Sequence, residues 1–327
     1  MRVNVWMRRM VVCGALFALL TSAAGTGASA EPTAAAVETT TAASDAATSL
    51  EVALEALPLK ELPKPPFQYY VSAVVKKPAA GTAATKKLAL TQKSVKDLSV
   101  SFDLTTLPEY TAGQYTVPIP VRNIKGNLPK DVPTSYKGQM IVQAIKSGNY
   151  AILIYGENFG ENRYLVIMDT VKGKFVKAYD FINYAIAPKY VKADYEFIYE
   201  RVRWAVIENG ILYVAHSHLT YAKSSNNMNG YITAIRLSDN KMLWRSASLV
   251  SNAGNFVIAG DVILSGYGFT AEKDYLYQLD KRTGKTLDKA LLKDGPNFIA
   301  KRNNDIFVYS YSHLTQFTIA KSSTTAP

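Results

Sequence analysis

Three eleven-residue segments reverse the chain in the same way, and their shared register constrains this 327-residue chain more than any other feature. They are 167–177 (IMDTVKGKFVK), 234–244 (AIRLSDNKMLW) and 278–288 (QLDKRTGKTLD). Aligned without gaps, Asp169, Arg236 and Asp280 share a column, as do Gly173, Asn240 and Gly284, and Lys174, Lys241 and Lys285. The Gly/Asn/Gly column has a physical reason: reversal there needs a left-handed backbone, which glycine and asparagine adopt at least cost. An Asp starts such a turn well because its carboxylate accepts backbone N–H groups. Arg236 cannot, so the second turn must be held in another way.

Each segment follows a hairpin of similar design. The hairpins pair 140–146 with 150–156, 202–207 with 211–217 and 255–259 with 262–267, and a fourth pairs 297–301 with 306–311. Their connections hold the Gly, Asn and Asp combinations of tight turns (Gly148, Asn149, Asn209, Gly210, Gly260, Asp261). The second strands, rich in Ile, Leu, Val and Tyr, read as buried sheet. A four-stranded antiparallel unit repeated at roughly 45 to 65 residues predicts an all-β chain, specifically a β-propeller of about four or five blades over 138–320. The fourth unit lacks an outer strand, for which 98–104 or 115–121 are the candidates. Between 67 and 137 the strand signals are irregular, so this stretch is a first blade or the source of the closing strand.

The turn motif Asp-x-x-Thr-Gly-Lys-x-x-Trp resembles the repeat of the pyrroloquinoline-quinone-like (PQQ-like) β-propellers, a superfamily related in architecture to WD40- and YVTN-type repeat proteins. Asp280, Thr283, Gly284 and Lys285 match, with Asp288 in place of Trp. Lys241, Leu243 and Trp244 match in the second copy, and Asp169, Gly173 and Lys174 in the first, where Lys177 takes the Trp position. The resemblance covers a little over half the chain and implies the fold, not an activity. A quinone-dependent dehydrogenase also needs a calcium site and a carboxylate inside its ring. The matched aspartates are turn residues, so neither PQQ nor a divalent metal is expected as cofactor.

The N-terminus carries an export signal. Arg2, Arg8 and Arg9 precede an apolar run over 10–20, and Ala28-Ser29-Ala30 forms an A-x-A cleavage pattern before Glu31. Eleven apolar residues span about 16 Å, too short for a bilayer core of about 30 Å. Cys13 lies inside the run rather than after it, which argues against lipidation. Cleavage after Ala30 removes the only cysteine and three arginines, lowering the net charge from +11 to +8 and leaving no disulfides. A bacterial secreted or extracytoplasmic protein follows, with no transmembrane segment after cleavage. Residues 31–66, dominated by Ala, Thr and Pro, read as a low-complexity linker.

Two constellations bear on function. His216 and His218 stand at i and i+2 at a strand end, a spacing that lets two imidazoles share a zinc or copper ion. His313 sits in a similar Ser-His-Leu-Thr sequence, which makes these positions equivalent points of a duplicated unit. Tyr184, Tyr190, Tyr195 and Tyr199 crowd the insertion 180–201, the kind of long loop and anchor residue that binds partners. The expectation is a non-catalytic binding protein of the envelope or exterior, with 180–201 and 220–230 as contact regions. Its partner is expected to be an envelope protein or an anionic cell-surface polymer. The lysines form no run of the nucleic-acid type, so nucleic acid is not expected. The competing expectation is a metal-dependent enzyme using His216 and His218, or a degenerate quinoprotein.

Overall fold

The computed structural model describes residues 59–61, 84–157, 162–181, 184–187, 189–220, 223–269 and 272–320. The export signal, most of the linker and residues 67–83 lie outside the described residues. The first strands are β1 (Leu59–Glu61), β2 (Leu90–Asp97), β3 (Gln114–Tyr115), β4 (Ser135–Tyr136), β5 (Gln139–Ser147), β6 (Tyr150–Gly156), β7 (Asn162–Asp169) and β8 (Lys174–Asp180). They are followed by β9 (Arg201–Glu208), β10 (Ile211–Ser217), β11 (Tyr231–Arg236) and β12 (Lys241–Arg245). The last seven are β13 (Phe256–Ala259), β14 (Val262–Tyr267), β15 (Tyr275–Asp280), β16 (Thr286–Leu291), β17 (Pro296–Arg302), β18 (Asp305–Ser310) and β19 (His313–Ile319). Two short helices, α1 (Pro108–Ala112) and α2 (Tyr195–Ile198), lie between strands. The described chain is therefore all-β.

The four sequence hairpins are β5–β6, β9–β10, β13–β14 and β17–β18, and all are antiparallel. Their second strands are buried almost throughout, as their apolar composition demands. Gly173, Asn240 and Gly284 all have positive φ, between 56° and 72°, so the aligned column is the left-handed position of each turn. Asp169 Oδ1 accepts the backbone N–H groups of Val171 and Lys172, and Asp280 Oδ1 accepts that of Arg282. In the second turn Arg236 grips Asp239 through two hydrogen bonds, and Asp239 accepts the Lys241 N–H.

Neighbouring sheets are joined by side chains that replace missing backbone partners. Ser147 Oγ accepts from Ile207 N and donates to Ile207 O, linking the first sheet to the second. The Trp244 ring lies over Gly284, where a Cβ would stand 2.4 Å from an indole carbon, so the second sheet docks on the third at a site only glycine permits. Asn255 reaches the fourth sheet, accepting from Ile299 N and donating to Ile299 O. One apolar cluster joins the first three sheets, including Ile152, Leu212, Val214 and Ile263. Another joins the third and fourth around Leu264 and Val308.

The propeller expectation is corrected. The strands form one seven-stranded and three four-stranded sheets, and none closes on itself. The first unit is not a four-stranded antiparallel blade: β3 and β4 both pair with β5, and β1 adds a parallel edge to β8. Among the described residues no apolar cluster runs directly from the fourth sheet to the first. The fourth packs instead on Leu98, Phe102, Leu104 and Tyr110 from the segment around α1. Its fourth strand is β2, not 98–104 or 115–121, and Tyr115 belongs to the first sheet. The placement in the PQQ-like superfamily, and with it the WD40- and YVTN-type comparison, therefore falls. Turn chemistry determines where a chain reverses, which is local. It says nothing about the angle between successive sheets, which depends on residues distant in sequence.

Candidate functional site

The second sheet delivers most of the candidate residues. β10 carries His216 and Ser217 to its end, and a register shift against β9 falls between Ala215 and His216. His218 follows, pinned through its backbone: its N–H donates to Asn229 Oδ1 (2.9 Å), and its carbonyl accepts from Asn229 Nδ2 (3.1 Å). The loop between them contains a short 3-10 turn, Lys223–Ser225, and then Asn226 and Asn227 at φ of 51° and 59°. Two successive left-handed residues suit asparagine, whose side chain offsets part of the cost. Gly230 ends the loop at φ 72°, and a Cβ there would meet the Tyr267 ring at 2.8 Å.

This loop walls a cavity of about 400 Å³. His218, Thr220, Lys223, Ser225, Asn226, Asn227 and Asn229 line it from this loop, and Leu249, Tyr267 at the end of β14, Phe269 and Glu272 complete the lining. Leu249 has φ 61°, a left-handed conformation that is strained for a bulky side chain, and its N–H donates to Asn229 O. His218 is 1% exposed, and neither ring nitrogen has a side-chain partner. Burial, assisted by the Arg201 charge and opposed by the Met228 backbone, pushes its pKa down to about 4, so the ring is neutral at physiological pH.

His216 sits in different surroundings. Its ring lies 4.8 Å from that of Phe181 and 4.5 Å from that of Tyr184, and both its nitrogens lack partners. Burial first, then the nearby Arg245 charge, drive its pKa down to about 3. Arg245 is itself buried, with its guanidinium 4.6 Å from the Tyr231 ring. Burial also pushes the Glu200 carboxyl well above the usual carboxylate range, against the pull of the Gly230 backbone and Arg245. Thus the two histidines proposed as metal ligands occupy two environments, one against aromatic rings, the other buried beside a cavity. Among the described residues no three His, Cys, Asp or Glu side chains converge on a common point.

His313 is not the repeat counterpart of His218. Counted from the hairpin turns, where Glu208 pairs with Ile211 and Arg302 with Asp305, Ser310 falls at the position of His216 and Ser312 at that of His218. His313 instead begins the following strand. The tyrosines also divide. Tyr184 is a core residue, 2% exposed, with its hydroxyl 2.5 Å from Thr233 Oγ1. Tyr190, Tyr195 and Tyr199 form a ladder with ring centroids 5.8 and 5.9 Å apart, continued by the Arg201 guanidinium over Tyr199. Exposed Val191 and Phe197 flank the ladder. Ser224 donates to Asp194 Oδ2 (2.6 Å), tying this insertion to the cavity loop.

Asn226, Asn227 and Asn229 had a legible signal, since 224–229 holds five Ser and Asn residues. Leu249, Tyr267, Phe269 and Glu272 had none, because they reach the cavity from a neighbouring unit.

No protein-family model and no curated protein matches the chain. Among solved structures, the computationally designed Ika8 protein aligns with 57% of this chain and 48% of its own, at 10% identity and a TM-score of 0.39. BamB from Moraxella catarrhalis aligns over 70% of this chain and 100% of its own, at 11% identity and a TM-score of 0.30. A europium-containing methanol dehydrogenase aligns over 48% of this chain and 27% of its own, at 15% identity and a TM-score of 0.31. The chain thus spans about half the length of the designed protein. Likenesses this weak define neither a shared fold nor a shared activity.

Proposed function

We propose that this protein is a non-catalytic binding module that works outside the cytoplasm, with its recognition face at the end of the second sheet. That face comprises the Asn-rich cavity and the adjoining tyrosine ladder. The observation that carries the reading is the cavity itself, about 400 Å³, lined by the exposed residues Asn226 and Asn227 with Thr220 and Ser225 beside them. His218 has no hydroxyl or carboxylate paired with it, so it lacks the arrangement that activates a nucleophile. The ladder and Phe197 supply the rigid aromatic contacts that suit a larger partner. Among the described residues no helix is long and apolar enough to cross a membrane.

The test is retention of the tagged protein on isolated envelope material, compared with a Phe197→Ala/Asn226→Gly/Asn227→Gly variant. All three residues are exposed, and glycine keeps the left-handed backbone of the two asparagines. Retention should fall at least tenfold in the variant. Equal retention would remove the recognition face from this end of the molecule.

A further inference from the structure

We propose that residues 98–113 form a releasable strap that covers a peptide-docking face on the fourth sheet. None of the cavity residues takes part, so the proposal stands or falls separately from the reading of the Asn-rich end. The first ground is the alternation of that sheet. Ile299, Ile306 and Val308 point to one side and pack in the cluster shared with the third sheet. On the other side the pairing sets Phe298 against Tyr309, Ala300 against Phe307 and Tyr309 against Leu314, so apolar residues of three strands share one face. The cluster built on this second face contains no residue of another sheet. It is completed by Leu98, Phe102, Leu104, Leu107 and Tyr110 of the strap.

The second ground is how lightly the strap is held. It leaves the fourth sheet where the Leu98 N–H donates to Ser312 O, and it reaches the first sheet where Gly113 O accepts from Lys146 N, just before β3. Between these ends Phe102 stacks on Tyr309 with ring centroids 5.6 Å apart, and Tyr110 tilts onto Phe298 at 5.4 Å. Glu109 grips Arg302 in a two-point ion pair. Yet Leu107 alone among the strap residues is buried. The Thr106, Leu107, Thr111 and Gly113 amides bond only within the strap, to Asp103, Leu104, Leu107 and Glu109. The helix α1 is five residues long, far short of the about 12–15 at which an isolated helix becomes even marginal. Segments with few buried contacts open at lower free energy than the core that they cover. What the strap covers is core: Phe298, Ala300 and Tyr309 are at most 4% exposed.

The third ground is that the strap defines what fits beneath it. The face takes aromatic or aliphatic side chains at the spacing of Phe102, Leu104, Leu107 and Tyr110. At its edge the Arg302 guanidinium lies over the Phe307 ring, 4.7 Å from the centroid, and presents a fork to a carboxylate. A partner's short amphipathic peptide with one acid at the position of Glu109 meets the same demands, which makes the strap its internal competitor.

Hydrogen exchange of the full chain tests release. The Thr106, Leu107, Thr111 and Gly113 amides should exchange at least about 100-fold faster than those of β14 and β18. Leu107→Ala should speed the strap about thirtyfold or more, and Glu109→Gln about two- to fivefold, with β14 unchanged in both. Strap amides that exchange as slowly as the core, or an anchor substitution that speeds both together, would overturn release. Docking is read with a fluorescent peptide of sequence 98–113. It should bind the Leu107→Ala/Tyr110→Ala variant at least about tenfold more tightly than the unsubstituted protein, whose own strap competes. Adding Arg302→Gln to that variant should weaken the peptide about threefold or more. Equal binding to both proteins, or binding to neither, would overturn the docking face. If the double variant fails to fold, Glu109→Gln replaces it, and the peptide must still bind more tightly than to the unsubstituted protein.

Discussion

Ser217-His218-Leu219-Thr220 and Ser312-His313-Leu314-Thr315 are identical tetrapeptides that come to opposite ends. His313 is part-exposed, and its Nδ1 lies 3.0 Å from Asp294 Oδ2, the oxygen that also accepts from Ser312 N and Ser312 Oγ. Its other nitrogen is 3.6 Å from Asp97. His218 is buried, and neither ring nitrogen meets a side-chain partner. What separates the two is the surrounding chain. The fourth sheet places Asp294 opposite its histidine, whereas the second sheet places an asparagine, Asn229, that satisfies only the His218 backbone. One imidazole lies against carboxylates, and the other is enclosed by burial.

The comparison breaks first under acid. In the unfolded chain each imidazole protonates near pH 6.5, whereas in the fold His216 and His218 resist protonation down to about 3 and 4. The stability from keeping them neutral is fully present above pH 6.5 and drains as pH falls, by about 1.4 kcal/mol per unit per histidine. Glu200, raised by burial, works in the opposite direction, so Glu200→Gln isolates the histidine contribution. In that background, urea unfolding at pH 7 and pH 4.5 should differ by about 4 kcal/mol or more, with a smaller difference after His218→Gln and no comparable change after His313→Gln. A flat profile would mean that the two buried rings are not held neutral.

Removing the completing acid is the next largest effect. Asp294→Ala strips the shared acceptor from Ser312 and His313 and should cost about 2 kcal/mol in denaturant titrations at pH 7. No acid partners His218, so its site offers no equivalent substitution. A smaller effect comes from Asp274, whose pKa burial raises to about 6, with the Asp294 and Glu272 charges adding to the shift. A raised folded pKa means that this side chain contributes most stability below about pH 4 and loses it as pH rises through about 6. Asp274→Asn should therefore stabilise by about 1 kcal/mol at pH 7.5, a figure reduced for its partial exposure, and leave stability at pH 4 unchanged. Smallest of all, Asn226→Gly/Asn227→Gly should alter the unfolding midpoint hardly at all while lowering retention on envelope material.

The same contrast shows what sequence conveys. Turn chemistry was readable residue by residue, because a left-handed position is a property of one residue and its neighbours: Gly173, Asn240 and Gly284 all adopt it. The arrangement of the sheets was not readable. It rests on pairings such as β2 with β19 and on Trp244 over Gly284, which bring together residues far apart in the chain. At the site, the 220–230 loop announced itself through its Ser and Asn content. Tyr184 could not be told from Tyr190, Tyr195 and Tyr199, since burial against Thr233 depends on a strand some fifty positions later. The similarity around His218 and His313 misled for the same reason: four matching residues do not report which acid lies across the fold.

Ring-nitrogen NMR of His216 and His218, followed through pH, tests the central claim most directly. The account predicts that both rings stay neutral at pH 5.5. A His218 that protonates above pH 6 would contradict it.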